Sequence, residues 1–169
     1  MDILNDPSMK EVVVEFANES LGLFKKLEEH LENLEDNPTS GHNLENFGQI
    51  IDRVMGAARS IGATEIATFC ELGKLIGYKS SQVKDVPLLN VVVAVLFDAV
   101  DLLTKMMEKI KTGDDTQLKG LNTEAFVTRL KWLSEKFKDI ERASCTIKKD
   151  DKKTLSQNSI DDLMASLGL

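Results

Sequence analysis

Glu45 and Gln49 stand four residues apart in the stretch "ENFGQIIDRVM", Glu45 to Met55. At about 100° per residue, a helix through this stretch places Glu45, Gln49, Asp52 and Gly56 within about 60° of one another. Phe47, Ile50, Ile51, Val54 and Ala58 take the opposite side. A carboxylate and a primary amide one turn apart have distinct uses. The carboxylate can pair with a cation, and the amide can both donate and accept, so it can hold a water molecule in a fixed place. The amide needs no titratable proton to do this. Any solvated helix face can carry such a pair, so the spacing alone decides little. Gly48 and Gly56 sit beside it, and each costs about 1 kcal/mol against alanine inside a helix. Close approach by another helix or by a partner backbone would explain that cost.

The other chemistry-bearing residues have plainer readings. His30 lies on an acidic helix face and His42 follows Gly41 in a loop. Neither has Cys or His companions at metal-ligand spacing, so both are read as solvated surface residues and no metal site is expected. The chain has no glycine-rich phosphate loop of the P-loop type. Its two cysteines are too few for a disulfide framework. Cys70, among apolar residues, reads as a small buried hydrophobe. Met106 and Met107 read as core or rim.

The elements that must position these residues are helical. Asp6-Pro7 announces the first helix, with Phe24, Leu27, Leu31 and Leu34 on one face and Lys25, Glu28, Glu29 and Glu32 on the other. "EDNPTSG", Glu35 to Gly41, stops it. The second helix is predicted from about Asn43 to Ile61, with Gly62 as its C-cap. The third runs from Thr64 to about Ile76, and "GYKSSQVKDVP" reads as a connection. The fourth, about Pro87 to Lys111, is the most apolar. Its β-branched run Val91–Val95 raises a strand reading. The continuing spacing Leu89, Val93, Leu96, Val100, Leu103, Met107 decides for a buried helix. The fifth, about Thr123 to Arg142, carries Phe126, Leu130, Leu133, Phe137 and Ile140 at helical spacing.

Composition agrees. The 169 residues are 42% hydrophobic and only 5% aromatic, with three prolines, which favours helices over a sheet-rich sandwich. One wet face per helix then implies an all-α antiparallel bundle of about five helices with a flexible C-terminal tail. The net charge of −7, with bases interleaved among acids, disfavours nucleic acid and anionic membrane surfaces. "MDILNDPSMKEV" lacks the pattern of a signal peptide. The longest apolar run, Val91–Phe97, falls far short of the roughly 20 residues of a membrane span. A cytoplasmic location without membrane insertion is the expectation.

The expected organisation is a bundle over residues 1–143, a charged flexible linker over 144–154 containing "KKDDKK", and an amphipathic peptide over 155–169. In that peptide Ser156 or Ser159 can cap a short helix, and Asp161 and Asp162 favour its N-terminal end. Ile160, Leu163, Met164 and Leu167 fall at i, i+3, i+4 and i+7 and make one apolar stripe. So short a helix is marginal alone. Its stripe is satisfied either by the chain's own bundle or by a groove on a partner, and the charged linker favours a partner.

Two family resemblances bear on function. "SQNSIDDLMASLGL" resembles the C-terminal peptide of the CheZ chemotaxis phosphatases, which binds the response regulator CheY. "LSQNSIDDLM" is also similar to the CheY-binding segment of the flagellar switch protein FliM. The stretch Glu45 to Met55 resembles the CheZ catalytic segment through Glu45, Gly48-Gln49, Ile51, Arg53 and Met55. Glu45 replaces that family's aspartate, and Asn46-Phe47 departs from its intervening residues. The resemblance implies that Gln49 orients the attacking water and Glu45 docks a partner lysine. It also implies that Asp52, Arg53, Ile160, Asp161, Asp162, Leu163, Met164 and Leu167 meet the partner. The chain then needs no cofactor of its own, because Mg²⁺ is carried by the phosphorylated CheY-like substrate.

Gly56–Glu71, "GAARSIGATEIATFCE", with the acidic helix before it, resembles instead a histidine phosphotransfer (Hpt) domain of the CheA type. There the phosphorylated histidine precedes the matching glycine by four residues. Here that position is Asp52, so the phosphoacceptor is absent. The readings join as an Hpt-like bundle carrying a CheZ-like site that hydrolyses a regulator's aspartyl phosphate and terminates the flagellar signal. A chain this short puts the usual CheZ dimer in doubt and leaves oligomeric state open. The alternative is a non-catalytic CheY-binding adaptor or a degenerate Hpt protein.

Overall fold

The computed structural model describes residues 2–144 and 159–169; the charged linker and the first residues of the terminal peptide lie outside the described residues. A 3-10 turn, Pro7–Met9, leads into α1 (Lys10–Asp36). The helices α2 (Gly41–Ile61), α3 (Thr64–Ser81), α4 (Val86–Lys111), α5 (Glu124–Ser144) and α6 (Ile160–Leu167) follow, and no strand occurs among the described residues. The chain is an all-α helical bundle.

Local signals set most boundaries. The Asp6 carboxylate accepts from Ser8 N at 2.9 Å, Ser40 caps α2, and Asp85 Oδ1 accepts from Leu88 N at 3.2 Å at the start of α4. Gly62 ends α2 in the left-handed region at φ 85°, where Ala63 N reaches Ala58 O at 2.9 Å. That turn reverses the chain directly into α3.

α1 packs against α2 and α4, and α3 packs against the same two, so the first four helices form a ring around one core. α4 contributes most to that core, with thirteen side chains buried from Leu88 to Ile110, Met106 and Met107 among them. By length and composition α4 is long and apolar enough to cross a bilayer, although its longest unbroken apolar run is short. Cys70 is buried in the same core, and burial pushes its thiol pKa up to about 12. α5 lies against α4, with Arg129 paired to Asp98.

α3 differs from the sequence expectation. It continues five residues past Ile76, through Gly77 to Ser81. Gly, Ser and Ser favour a break, but Gly77 and Ser80 are buried and Lys79 pairs with Glu141 of α5. Ser80 Oγ donates to Ile76 O at 2.6 Å, so its hydroxyl is satisfied inside the helix. Tertiary burial outweighs weak propensity.

The N-terminus of α3 is capped from a distance. Its own N-cap, Ala63, has no side chain able to accept. Buried Gln117, in the α4–α5 loop, accepts from Ile66 N through Oε1 at 3.0 Å. Glu65 Oε2 returns the bond by accepting from Leu118 N at 3.0 Å. Gln117 adopts φ 44°, the left-handed region, to reach this position. Gln117→Ala is expected to destabilise the bundle by about 1–2 kcal/mol, the size of a lost N-cap, read from the midpoint of urea unfolding. An unchanged midpoint would mean that the bond is dispensable.

Of the two seats open to the terminal peptide, the structure shows the chain's own bundle. α6 lies against α3 and α5, with Ile160, Leu163 and Met164 buried and Leu167 half-buried. The sequence reading leaned toward a helix with no core in its own chain, and here it has one. Ser159 and Asp162 form a capping box, and Gly168, at φ 73°, closes the C-terminal end.

Candidate functional site

α2 carries the candidate residues because its stripe Leu44, Phe47, Ile51, Val54, Ala58, Ile61 is buried, leaving one face to solvent. Glu45, Gln49, Asp52 and Arg53 are all exposed on that face. They divide into two kinds. Asp52 Oδ1 accepts from Lys74 Nζ of α3 at 2.7 Å, and Arg53 pairs with Glu19 of α1. Glu45 and Gln49 make no hydrogen bond or ion pair among the described residues. So the Gln49 amide and the neighbouring Glu45 carboxylate are uncommitted, while the next charges along the helix are tied sideways to both flanking helices.

Gly48 is half-buried and Gly56 is exposed. Apart from the adjacent residues and the helix's own nearby backbone, no atom lies within 4 Å of the place a Cβ would occupy on either. Close approach by another helix of this chain therefore does not account for them.

The histidines do not join the site. His30 is half-buried rather than solvated, with Nδ1 3.2 Å from Asn43 Oδ1, and so links α1 to α2. His42 is exposed beside Asn46. No cluster of three or more His, Cys, Asp or Glu among the described residues could hold a metal ion.

The residues assigned to the partner from the terminal peptide sit elsewhere, on α6 against α3 and α5. Asp161 accepts from Ser134 Oγ at 2.9 Å and pairs with Lys138, both on α5. The Lys138 hydrogen bond, with Ser134 adding to it, holds the Asp161 carboxyl below the usual carboxylate range despite some burial. The same bond, and a weaker one to Glu135, raises Lys138 above the usual lysine range. Asp162 serves the capping box. Sequence periodicity could not show Lys74, Glu19 or Lys138 as partners, since each lies on another helix.

No protein-family model, no curated protein and no solved structure matches this chain. What defines it is an all-α bundle with an open polar face on α2 and a C-terminal helix seated on its own body.

Proposed function

We propose that the chain is a phosphatase of a CheY-like response regulator, accelerating hydrolysis of its aspartyl phosphate. The observation that carries this reading is the uncommitted pair Glu45 and Gln49, exposed one turn apart beside Asp52 and Arg53, which are both paired. An acyl phosphate on a regulator that already carries Mg²⁺ lacks chiefly a positioned water. Gln49 entering that site holds the water in line with phosphorus. Glu45 pairs with a lysine of the regulator and fixes the depth of entry. The bare backbone at Gly48 and Gly56 lets the two proteins approach closely.

The terminal helix supplies affinity. Tethered to the bundle, it raises the local concentration of regulator at α2. Ile160, Leu163 and Met164 are the anchors in this reading and are also the residues buried against α3 and α5, so α6 must leave that seat to serve a partner.

A second reading, a non-catalytic adaptor, draws on the Asp52–Lys74 pair, which ties up the position where an Hpt domain carries its histidine. Phosphate release from the phosphorylated regulator, with wild type and Gln49→Ala, decides between them. Acceleration lost in the variant supports hydrolysis. Binding without acceleration by the wild type supports the adaptor.

A further inference from the structure

The groove that holds α6 is built by residues outside α6. Its walls are α3 and α5, which are pinned to each other at two places. Near the start of α5, the rings of Phe126 and of Phe69 on α3 lie 5.2 Å apart. Near its end, Glu141 pairs with Lys79 of α3. From Phe126 to Glu141 the helix advances about 22 Å. Between the pins, Arg129 anchors α5 to Asp98 of α4. None of these ties involves α6, so its departure leaves both walls in place. α6 is about 12 Å long and lies against both walls, bound through Asp161 to Ser134 and Lys138 between the pins.

The groove states the chemistry of its occupant. It buries Ile160, Leu163 and Met164, the first, fourth and fifth residues of α6. At the second residue the Asp161 carboxylate accepts from Ser134 Oγ at 2.9 Å and pairs with Lys138. Ser134 is buried, so its hydroxyl needs an acceptor from whatever fills the groove. The caps of α6 are its own residues, Ser159 and Asp162 at one end and Gly168 at the other. The contacts therefore select an acidic amphipathic helix and ask nothing of the chain that leads to it. α6 is also a replaceable occupant. So short a helix is marginal alone and must be ordered as it docks. A helix already ordered in a folded protein incurs no such cost.

We propose that the α3–α5 groove is a docking site for a preformed acidic amphipathic helix of a partner protein. That helix carries apolar residues at its first, fourth and fifth positions and a carboxylate at its second, complementary to Lys138. Its docking displaces α6. The groove is independent of Gln49 and of the hydrolytic reading. Where that reading holds, docking at the groove also frees α6 for the regulator.

The test uses the full chain and a labelled peptide of residues 156–169. A staple joins positions 162 and 166, both exposed in α6, so that the peptide is helical before it binds. By fluorescence anisotropy it is expected to bind about tenfold tighter than the unstapled peptide, and to strip hydrogen-exchange protection from the chain's own α6. Leu163→Asp in the chain, which unseats α6, should tighten peptide binding by at least about tenfold, because the tethered competitor is gone. Asp161→Lys in the chain unseats α6 at an exposed position and should act likewise, so the test stands if Leu163→Asp disturbs the bundle. Added to either variant, Lys138→Glu should weaken the peptide about fivefold. A peptide carrying Asp161→Lys should recover that loss.

Equal affinity for wild type and both unseated variants, or a charge reversal that the altered peptide does not rescue, would overturn the groove as a docking site. A wild-type chain that sediments as a dimer and returns to monomer with the peptide would assign the groove to α6 of a second copy and overturn the outside partner. Phosphate release enters none of these outcomes, so a failure of the hydrolytic reading leaves the groove to be judged by itself.

Discussion

With a phosphorylated CheY-like regulator, Gln49→Ala is expected to lose accelerated phosphate release by on the order of 100-fold, with binding changed by less than about threefold. The split follows from the exposure of Gln49 and its lack of partners in the chain. Alanine at this exposed helix position is a strong helix former, so the bundle should unfold at the same temperature. The side chain has no internal bond to lose. On the proposed reading its whole contribution lies in holding water during the reaction, which appears in turnover and not in ground-state affinity. Glu45→Gln should behave oppositely, weakening binding more than turnover. Because the amide does not titrate, the wild-type rate should show no rise or fall assignable to Gln49 between about pH 6 and pH 9. Wild-type turnover in Gln49→Ala would exclude the amide as the water ligand.

The exposed face of α2 was legible in the sequence because amphipathic periodicity is a property of one helix. Phe47, Ile51, Val54 and Ala58 point inward, so Glu45 and Gln49 must point outward. What periodicity does not carry is the identity of the neighbour. Asp52 and Arg53 looked equivalent to Glu45 and Gln49, yet their partners lie 22 and 34 residues away in sequence. Gly77–Ser81 was placed in a connection because Gly77, Ser80 and Ser81 are weak helix formers, and only the burial of Gly77 and Ser80 and the Lys79–Glu141 pair hold that turn. Gln117 reads as one polar residue in a polar loop, and its bond to Ile66 spans 51 residues. The same limit governs α6. An apolar stripe states that a helix has a seat, not whose surface provides it.

That ambiguity is itself measurable, because the stripe of α6 has one face and, on the proposed reading, two claimants. Burying a side chain such as Ile160, Leu163 or Met164 contributes about 1.5–3 kcal/mol. Fixing the backbone of each helical residue costs about 1–2 kcal/mol. Over an eight-residue helix with three buried side chains the ordering cost is the larger of the two, so the seat depends on the caps and the Asp161 contacts as well, and exchange is physically accessible. Leu163→Asp places a carboxylate in a seat that leaves the native side chain 2% exposed. It should strip hydrogen-exchange protection from residues 163–168 and weaken regulator binding by at least about tenfold, since both seats need the leucine. Lys138→Glu separates them, because Lys138 lies on α5 and belongs only to the internal seat. It should lower protection in α6 yet tighten regulator binding, by up to about fivefold for an exposed ion pair. The pH dependence has a defined sign. The Asp161 contribution is complete above the ordinary carboxylate pKa and is lost as pH falls through its depressed folded value. The Lys138 contribution is complete below the ordinary lysine pKa and is lost as pH rises through its raised one. Between about pH 5 and pH 9 the seat should therefore hold steadily, and the competition is set by regulator concentration instead of protons. Weakened binding in both variants would show that the internal seat assists the partner, and the two claims on α6 would not be exclusive.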